Sequence, residues 1–330
     1  MSPPLVSIII VNYKTYQFLH DCLVSIKQSS YSRLETIVFD NSSDSQKIYP
    51  LQKKFPQTRF ITNKKNLGFS LANNQAVEKA RGQYLFFLNP DTKIAKNTIS
   101  LLVKKIQSDP WVGICGPTML SYDGKTTHHC GIGIDFLGFP LNSKKIFYVE
   151  GSALMIGNKL FQKLKGFDPT YFMFHEDVDL CWRCWLHGFT VTVEPSAKIF
   201  HQIGAVAGGT TPGKKQPYLT SLLRRYYSER NNLRTLLKNY QTLSLVFIIP
   251  LYLIHHLFEF IFFILTLQPQ IIYFYIKGYL WNLINLPSTL RLRHHIQNHR
   301  QISDRPIFAK MNFTSGKLIN LLKVGIPKIK

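Results

Sequence analysis

Acid is what this chain has little of. Its 330 residues hold 18 Asp and Glu against 40 Lys and Arg, a formal net charge of +22. So basic a balance implies an anionic partner: nucleic acid, nucleotide or lipid surface. Cysteine is sparse too. Five in so long a chain exclude a disulfide scaffold, and their odd number and irregular spacing fit reduced thiols in a cytoplasmic setting. No repeat period is present, which argues against collagen-like and solenoid folds. No G-x-G-x-x-G follows the first apolar run and no G-x-x-x-x-G-K-[ST] occurs anywhere, so a dinucleotide dehydrogenase and a P-loop NTPase are poor readings. Met1-Ser2-Pro3-Pro4 lacks a basic n-region, and no small-residue cleavage site follows, so a signal peptide is not expected. A hydrophobic content of 45% excludes a wholly disordered chain.

The positive charge is uneven. Residues 1–213 carry 23 basic and 15 acidic side chains, and residues 214–330 carry 17 basic and 3 acidic ones. Between Asn239 and Ile276 the only formal charge is Glu259. Basic flanks around an apolar, aromatic-rich stretch suit an anionic membrane surface better than a nucleic acid. No recognition helix or RNA-binding motif is visible either.

The first two hundred residues alternate strand and helix patterns. Val6 to Val11 is β-branched and continuous, as a buried parallel strand is. Thr15 to Gln28 has helical spacing in Phe18, Leu19, Cys22, Leu23 and Ile26. Glu35–Phe39, Arg59–Thr62 and Tyr84–Leu88 read as further strands, with helices over Phe69–Ala80 and Asn97–Gln107. Such βαβ units predict a parallel sheet covered on both faces. Val112–Gly116 and Val149–Ile156 read as strands of a second half, joined through an Asp123-Gly124 turn.

In sheets of this kind a ligand binds outside the carboxyl ends of the strands. That rim carries Asn12-Tyr13, Asp40-Asn41 and Asn89-Pro90-Asp91. One polar strand end is an ordinary turn; three at one rim favour a polar ligand. Farther on, Glu176, Asp177 and Asp179 fall within four residues. Acids in a first helical turn are favoured by the macrodipole alone. A carboxylate beside the aromatic loop Tyr171–Phe174 equally suits a general base. Both readings stand on the residues alone. Cys181 and Cys184 read as two buried thiols on a packed helix, because no second C-x-x-C accompanies them. His128-His129-Cys130 reads as a loop, and His255 and His256 as the polar edge of an apolar segment.

An ordered set of pieces resembles family 2 glycosyltransferases of the GT-A fold, in the branch similar to bacterial rhamnosyltransferases. The pieces are Val6–Tyr13, Ile37–Asp44, Asn66-Leu67-Gly68-Phe69 with Asn73-Asn74, Phe87–Asp91, Gly166-Phe167-Asp168, Phe172–Arg183 and His201. They cover roughly residues 4 to 235. The resemblance implies a Rossmann-like mixed sheet covered by helices, which binds a nucleotide-sugar, with a helical C-terminal extension that associates with a membrane. Asn12, Tyr13, Asp40 and Asn41 would hold base and ribose. Asn66 and Gly68 would lie near the nucleotide, with Gly68 allowing close backbone approach. Asp91 would be the retained acid of the D-x-D motif and bind Mg²⁺ or Mn²⁺ on the diphosphate. Asn89 stands where the motif's first acid would be, so one charged ligand is lost. His201, 24 residues after Asp177, would reach the metal in compensation. Asp177 would be the base of an inverting transfer. Glu176 and Asp179 would shape the site or hold the acceptor, unless Asp179 pairs with Arg183 at i, i+4.

These readings divide the chain into a catalytic domain over 1–213, a basic helical connector over 214–240 and a hydrophobic, basic, membrane-associating region over 241–330. Arg224, Arg225 and Arg230 of the connector would meet a diphosphate or lipid headgroups, or form a solvated face. Leu243 to Leu267 is long enough for a ~30 Å hydrocarbon layer, but Pro250, His255, His256 and Glu259 interrupt it. Two interfacial helices at the cytoplasmic face of the membrane are preferred over a span. The expected activity is transfer of a sugar, rhamnose from dTDP-rhamnose, to a lipid-linked or polysaccharide acceptor. A UDP-hexose donor and a non-catalytic membrane scaffold that keeps the fold are the alternatives.

Overall fold

Val6–Asn12 forms β1, six of its seven side chains buried. A strand covered on both faces needs this continuous apolar run. In the computed structural model, which describes residues 2–42, 44–129, 131–202, 219–325 and 328–329, β1 lies in a nine-stranded mixed sheet. The elements that follow are α1 (Tyr16–Lys27), β2 (Leu34–Asp40), α2 (Ser45–Lys54), β3 (Thr58–Thr62), α3 (Gly68–Val77), β4 (Tyr84–Leu88), β5 (Thr92–Ile94), α4 (Thr98–Gln107), β6 (Val112–Ser121) and β7 (Thr127–His129). After the short pair β8 (Gly133–Ile134) and β9 (Pro140–Leu141) come β10 (Ala153–Gly157), α5 (Asn158–Lys163), α6 (Glu176–Leu186) and β11 (Thr190–His201).

The chain divides into two units. One gathers Met1–Gly131, Tyr148–Cys184 and the strand that follows Phe189; the other gathers Ile132–Phe147, Trp185–Gly188 and the C-terminal helices. The boundary expected at 213 lies outside the described residues.

In the first unit the strand order is β3-β2-β1-β4-β10-β6-β11-β5, with β7 on β6. β3, β2, β1 and β4 are parallel, β10 runs antiparallel to β4 and β6, and β5 antiparallel to β11. The parallel pairing expected from βαβ spacing holds for β3, β2, β1 and β4, β11 also runs parallel to β6, and the sheet as a whole is mixed, as the resemblance implied. Alternate residues of β1 serve opposite layers. Ile8 and Ile10 join Leu19, Cys22 and Leu23 of α1 and Leu102 of α4 in one core. On β4, Phe87 meets the rings of Phe161 and Phe167 at 5.1 and 4.9 Å. The helix α2 was not foreseen. Its sequence signal is Asp44, whose side chain accepts from the Lys47 amide as N-cap. The strand expected over Val149–Ile156 starts only at Ala153. Before it, Glu150, Gly151 and Ser152 form a turn closed by the Ala153 amide on the Glu150 carbonyl.

The second unit contains β12 (Leu219–Thr220), α7 (Leu222–Asn239), α8 (Thr242–Leu265), α9 (Pro269–Ile284), α10 (Leu286–His299), α11 (Asp304–Lys310), α12 (Gly316–Val324) and β13 (Lys328–Ile329). Here α9 and α10 pack on α7. Of the two readings for the arginines of α7, the solvated face does not describe Arg230, which is buried, as is Arg234; Arg225 reaches the Tyr275 hydroxyl at 3.3 Å. Asp135, fully buried, accepts from the amides of Leu137 and Phe139 at 2.9 Å and of Gly316 at 2.7 Å. Burial still pushes its carboxyl up to about 6, against those three bonds.

Asp135→Ala would strand three buried N–H groups. It should therefore lower the unfolding free energy by about 3 kcal/mol or more. Urea denaturation beside Lys144→Ala, an exposed control expected within about 0.5 kcal/mol of the parent, checks this.

Candidate active site

Register places the site. Asn12 pairs with Asp40 across β1 and β2, so both side chains end at the same rim. The Asn12 amide donates to Asp40 Oδ1 at 2.7 Å, and the Thr15 hydroxyl donates to Asn12 Oδ1 at 2.7 Å. Both residues are fully buried, and burial raises the Asp40 carboxyl above its ordinary range. Asn41 receives the Leu67 amide on its side-chain oxygen at 3.2 Å and donates to the Gly68 carbonyl at 3.0 Å. Asn66 accepts from the Gly68 amide at 2.9 Å. Asn12, Asn41 and Asn66 thus build and hold the rim. Tyr13, at 36% exposure, is open on its surface, as is Asn66.

Gly68 has φ +76°, and a Cβ there would sit 2.4 Å from the Phe172 carbonyl oxygen. Only glycine combines that conformation with that contact. The Phe69 amide donates to the same oxygen at 2.6 Å. The loop that opens α3 is thereby sewn to the loop that leads into α6. In that loop Phe174 and His175 both take left-handed backbone, φ 67° and 66°, a strained conformation for non-glycine residues.

On the other side of the rim, β11 pairs with β5 and sets His201 opposite Thr92. His201 Nε2 then lies 3.3 Å from Asp91 Oδ1. Asp91 is 2% exposed, and Oδ1 has no hydrogen bond. Burial disfavours the His201 imidazolium, but Asp91 and Glu150 outweigh it and raise the His201 pKa. Asn89, half-buried, donates its backbone N–H to the Ser152 carbonyl at 2.9 Å.

The acids of α6 separate by environment. Asp177, half-buried, accepts from the amides of Gly151 at 3.1 Å and Val178 at 2.8 Å. Burial, aided by the Glu150 charge and opposed by the Gly151 bond, pushes its carboxyl up to about 6. Glu176 is buried, with Oε2 unbonded, and burial plus the adjacent Asp177 charge raise its pKa well above the usual range. Two neighbouring desolvated carboxyls resist ionising together. Asp179 is fully buried and bonds Arg183 at 3.0 and 2.8 Å, while Arg183 also holds the Gly166 carbonyl at 2.9 Å. Of its two expected roles, Asp179 takes the pairing one.

Glu150 and His129 were not foreseen. Glu150 Oε2 lies 3.3 Å from both His129 Nε2 and the Ser152 hydroxyl. Burial would raise the Glu150 carboxyl, but His129 and then His201 outweigh it and bring it down to about 2. Its turn touches three parts of the site: the Gly151 amide bonds Asp177, the Ser152 carbonyl bonds Asn89, and Glu150 itself pairs with His129. The only sequence signal was an acid beside Gly151-Ser152. His129 lies on β7, not in the expected loop.

Elsewhere, the four described free cysteines, Cys22, Cys115, Cys181 and Cys184, are all buried. Burial raises their thiols far above neutrality, which leaves them inert. Among the described residues, His255, His256 and Glu259 form the one group of three or more such side chains close enough together to hold a metal. The Lys317 ammonium already stands there, 2.7 Å from Glu259 and 3.3 Å from His256 Nε2.

Comparison with known proteins agrees with this architecture. The family model for glycosyl transferase family 2 matches residues 7–181. The N-acetylglucosaminyl-diphospho-decaprenol L-rhamnosyltransferase of Mycobacterium tuberculosis is 22% identical over 59% of this chain and 75% of its own length. The low-salt glycan biosynthesis hexosyltransferase Agl10 of Haloferax volcanii is 28% identical over 54% of this chain and 60% of its own length. The structure of GalNAc-T7 with UDP, GalNAc and Mn²⁺ aligns with a TM-score of 0.58 at 15% identity, covering 73% of this chain and 49% of that one. The fold is GT-A-like, as the resemblance in the motifs implied.

Two outcomes follow from the α6 acids. Asp179→Ala leaves the buried Arg183 uncompensated and should cost about 3–5 kcal/mol, read by chemical denaturation. For Asp177 the fold favours the protonated carboxyl. That stability is fully present below the unfolded pKa and lost as pH rises through about 6. The Tm of Asp177→Asn relative to the parent should therefore climb between about pH 4 and pH 8; a difference independent of pH would show that Asp177 is ionised throughout.

Proposed function

The chain belongs to glycosyl transferase family 2, and from that premise we propose an inverting transfer of rhamnose from dTDP-rhamnose to a lipid-linked or polysaccharide acceptor in cell-surface glycan synthesis. The observation that carries the reading is the juxtaposition of a buried, unbonded Asp91 oxygen with His201, in a unit that also holds Asp177 as a half-buried, hard-to-ionise carboxyl. The rhamnosyltransferase name of the Mycobacterium tuberculosis relative, whose acceptor is a diphospho-decaprenol, supports the donor and acceptor classes. A UDP-hexose donor is the second reading, favoured by the UDP bound to GalNAc-T7.

Asp91 and His201 fit a hard divalent cation, Mg²⁺ or Mn²⁺. Their 3.3 Å separation is close to that of two neighbouring ligands each ~2.1 Å from one ion. Such an ion supplies positive charge to the departing diphosphate. On the nucleotide side, Tyr13 offers a ring to the base, Asp40 and Asn12 lie beneath it, and Asn41, Asn66 and Gly68 hold the wall. Asn89 brings the amide of a lost acid to the diphosphate side.

Asp177 takes the proton of the acceptor hydroxyl as that oxygen bonds to the anomeric carbon. The bond from this carbon to the diphosphate oxygen breaks on the opposite face. One displacement inverts the centre and needs no carboxylate nucleophile. Glu150 keeps negative charge near Asp177, which makes the base stronger, and the Gly151 amide fixes its orientation. Glu176 shapes the floor of the site. The acceptor's lipid places the enzyme at the cytoplasmic face of the membrane, attached at the interface by residues 241–330, with 214–240 as connector. Nucleic acid is not a partner in this reading.

Donor affinity and transfer rate, measured with a panel of nucleotide-sugars, separate the roles. Asp91→Ala should abolish metal-dependent donor binding and His201→Ala should weaken it. Asp177→Asn should lower transfer by roughly 10²–10⁴-fold, the usual worth of a positioned base, with donor affinity nearly unchanged. Normal transfer by Asp177→Asn with collapse in Glu176→Gln would move the base one residue upstream; donor binding without transfer by the parent protein would favour the scaffold.

A further inference from the structure

The helices α8 and α9 are built inside out. On α8 the inward stripe is Ile248, Tyr252, His256 and Phe263, with Glu259 beside it. The outward stripe is Phe247, Leu251, Ile254, Phe258, Ile261 and Leu265, each 46–77% exposed. Its spacing alternates four and three, so it runs straight along one face. On α9, Ile271, Tyr275, Gly278 and Asn282 face inward, while Tyr273, Ile276, Leu280 and Leu283 are 48–66% exposed. The polar side chains His256, Glu259 and Asn282 point into the unit beside Ile248, Phe263 and Ile271, and a second set of large apolar side chains points out. An apolar surface of this extent marks an interaction site.

The inward groups form one network. Lys317 lies 2.7 Å from Glu229 and 2.7 Å from Glu259; His256 Nε2 lies 3.1 Å from Glu229; the Tyr275 hydroxyl donates to Glu229 at 3.1 Å. The expectation that His256 lies at a polar edge is therefore corrected: it is 2% exposed, a bonded member of the interior. Glu229, Glu259 and Asp304 are the three acids of residues 214–330. Each is consumed by an internal cation, Asp304 by Arg300. The exposed charges among the described residues from 219 onward are Lys277, Arg291, Arg305 and Lys323, all positive. An apolar face on a segment whose exposed charges are all cationic is complementary to an anionic lipid leaflet.

The network also decides orientation. Glu229 of α7 bonds His256 near the middle of α8. Arg230, one residue on, stacks 4.2 Å from the Trp281 ring, and its carbonyl accepts from Asn282 at 2.9 Å. If α8 spanned a bilayer, α7 with Glu229, Arg230 and Arg234 would be drawn into the hydrocarbon, which costs several kcal/mol per charge. Lying in the plane, α8 and α9 keep α7 on the water side.

We propose that the outward stripes of α8 and α9 form a monotopic docking surface that inserts into one leaflet of an anionic phospholipid bilayer. The proposal rests on the membrane-surface attachment put forward above and names the face and the orientation.

The test is flotation of the full-length protein with phosphatidylcholine vesicles carrying roughly one-third phosphatidylglycerol, beside pure phosphatidylcholine. The parent should float with the anionic vesicles and much less with the neutral ones. Phe247→Asp/Phe258→Asp should reduce the bound fraction at least about tenfold, with donor binding kept as proof of folding. Ile276→Asp repeats the test from α9 alone. Orientation is read in a Cys130→Ser background with Leu243→Cys or Leu265→Cys and a membrane-impermeant thiol reagent. Both ends should react from outside the vesicle. Protection of one end alone would show a span and overturn the proposal while leaving membrane attachment intact. Flotation unchanged in the α8 and α9 variants would mean another face docks. Failure of the parent to float, with self-association in sedimentation, would overturn both the attachment and this face, and a second copy would be its occupant.

Discussion

The pairing of β11 with β5 is the contact on which the candidate site depends. Two segments more than a hundred residues apart meet in antiparallel register, His201 opposite Thr92, and the Asp91 carboxylate then lies beside an imidazole. Without that edge pairing, Asp91 would be a turn acid at the end of a buried strand. With it, a desolvated oxygen and a nitrogen share one small space, and charge complementarity with a cation becomes the natural way to satisfy both.

Desolvation sorts the remaining acids of that unit into different tasks. Asp179 is buried with a guanidinium at bonding distance, so its task is structural. Glu150 is held ionised by His129. Asp177 and Glu176, adjacent and poor in cations, are pushed upward. Glu150 is thereby held down to about 2 and Asp177 pushed up to about 6, with Glu176 raised as well, the kind of separation that sorts acids from bases. The Glu150–Ser152 turn joins these regimes, because consecutive backbone and side-chain groups reach Asn89, Asp177 and His129.

The helical unit handles charge the opposite way. Its few acids are spent inside on Lys317, His256 and Arg300, and what remains outside is cationic and apolar. Basic composition alone does not distinguish a nucleic-acid binder from a lipid binder. The direction in which side chains face does, because a leaflet needs hydrocarbon outward and a nucleic acid does not.

By itself the sequence determined the parts whose signal is local. The buried β1, the helices α1, α3 and α4 and the polar strand ends were legible in spacing and residue type, and the ordered motifs carried the family and, through it, Gly68. Asp179 was legible too, as an i, i+4 partner of Arg183. Tertiary structure alone decided what depends on register and burial between distant segments. It turned β10 antiparallel, brought Glu150 to His129, made Asn12, Asn41 and Asn66 supports of the rim, and turned the arginines of α7 and His256 inward. The physical reason is the same in each case: helical and strand periods specify which face a residue shares, whereas the pairing of strands and the partner found by a buried charge depend on segments far away in the chain.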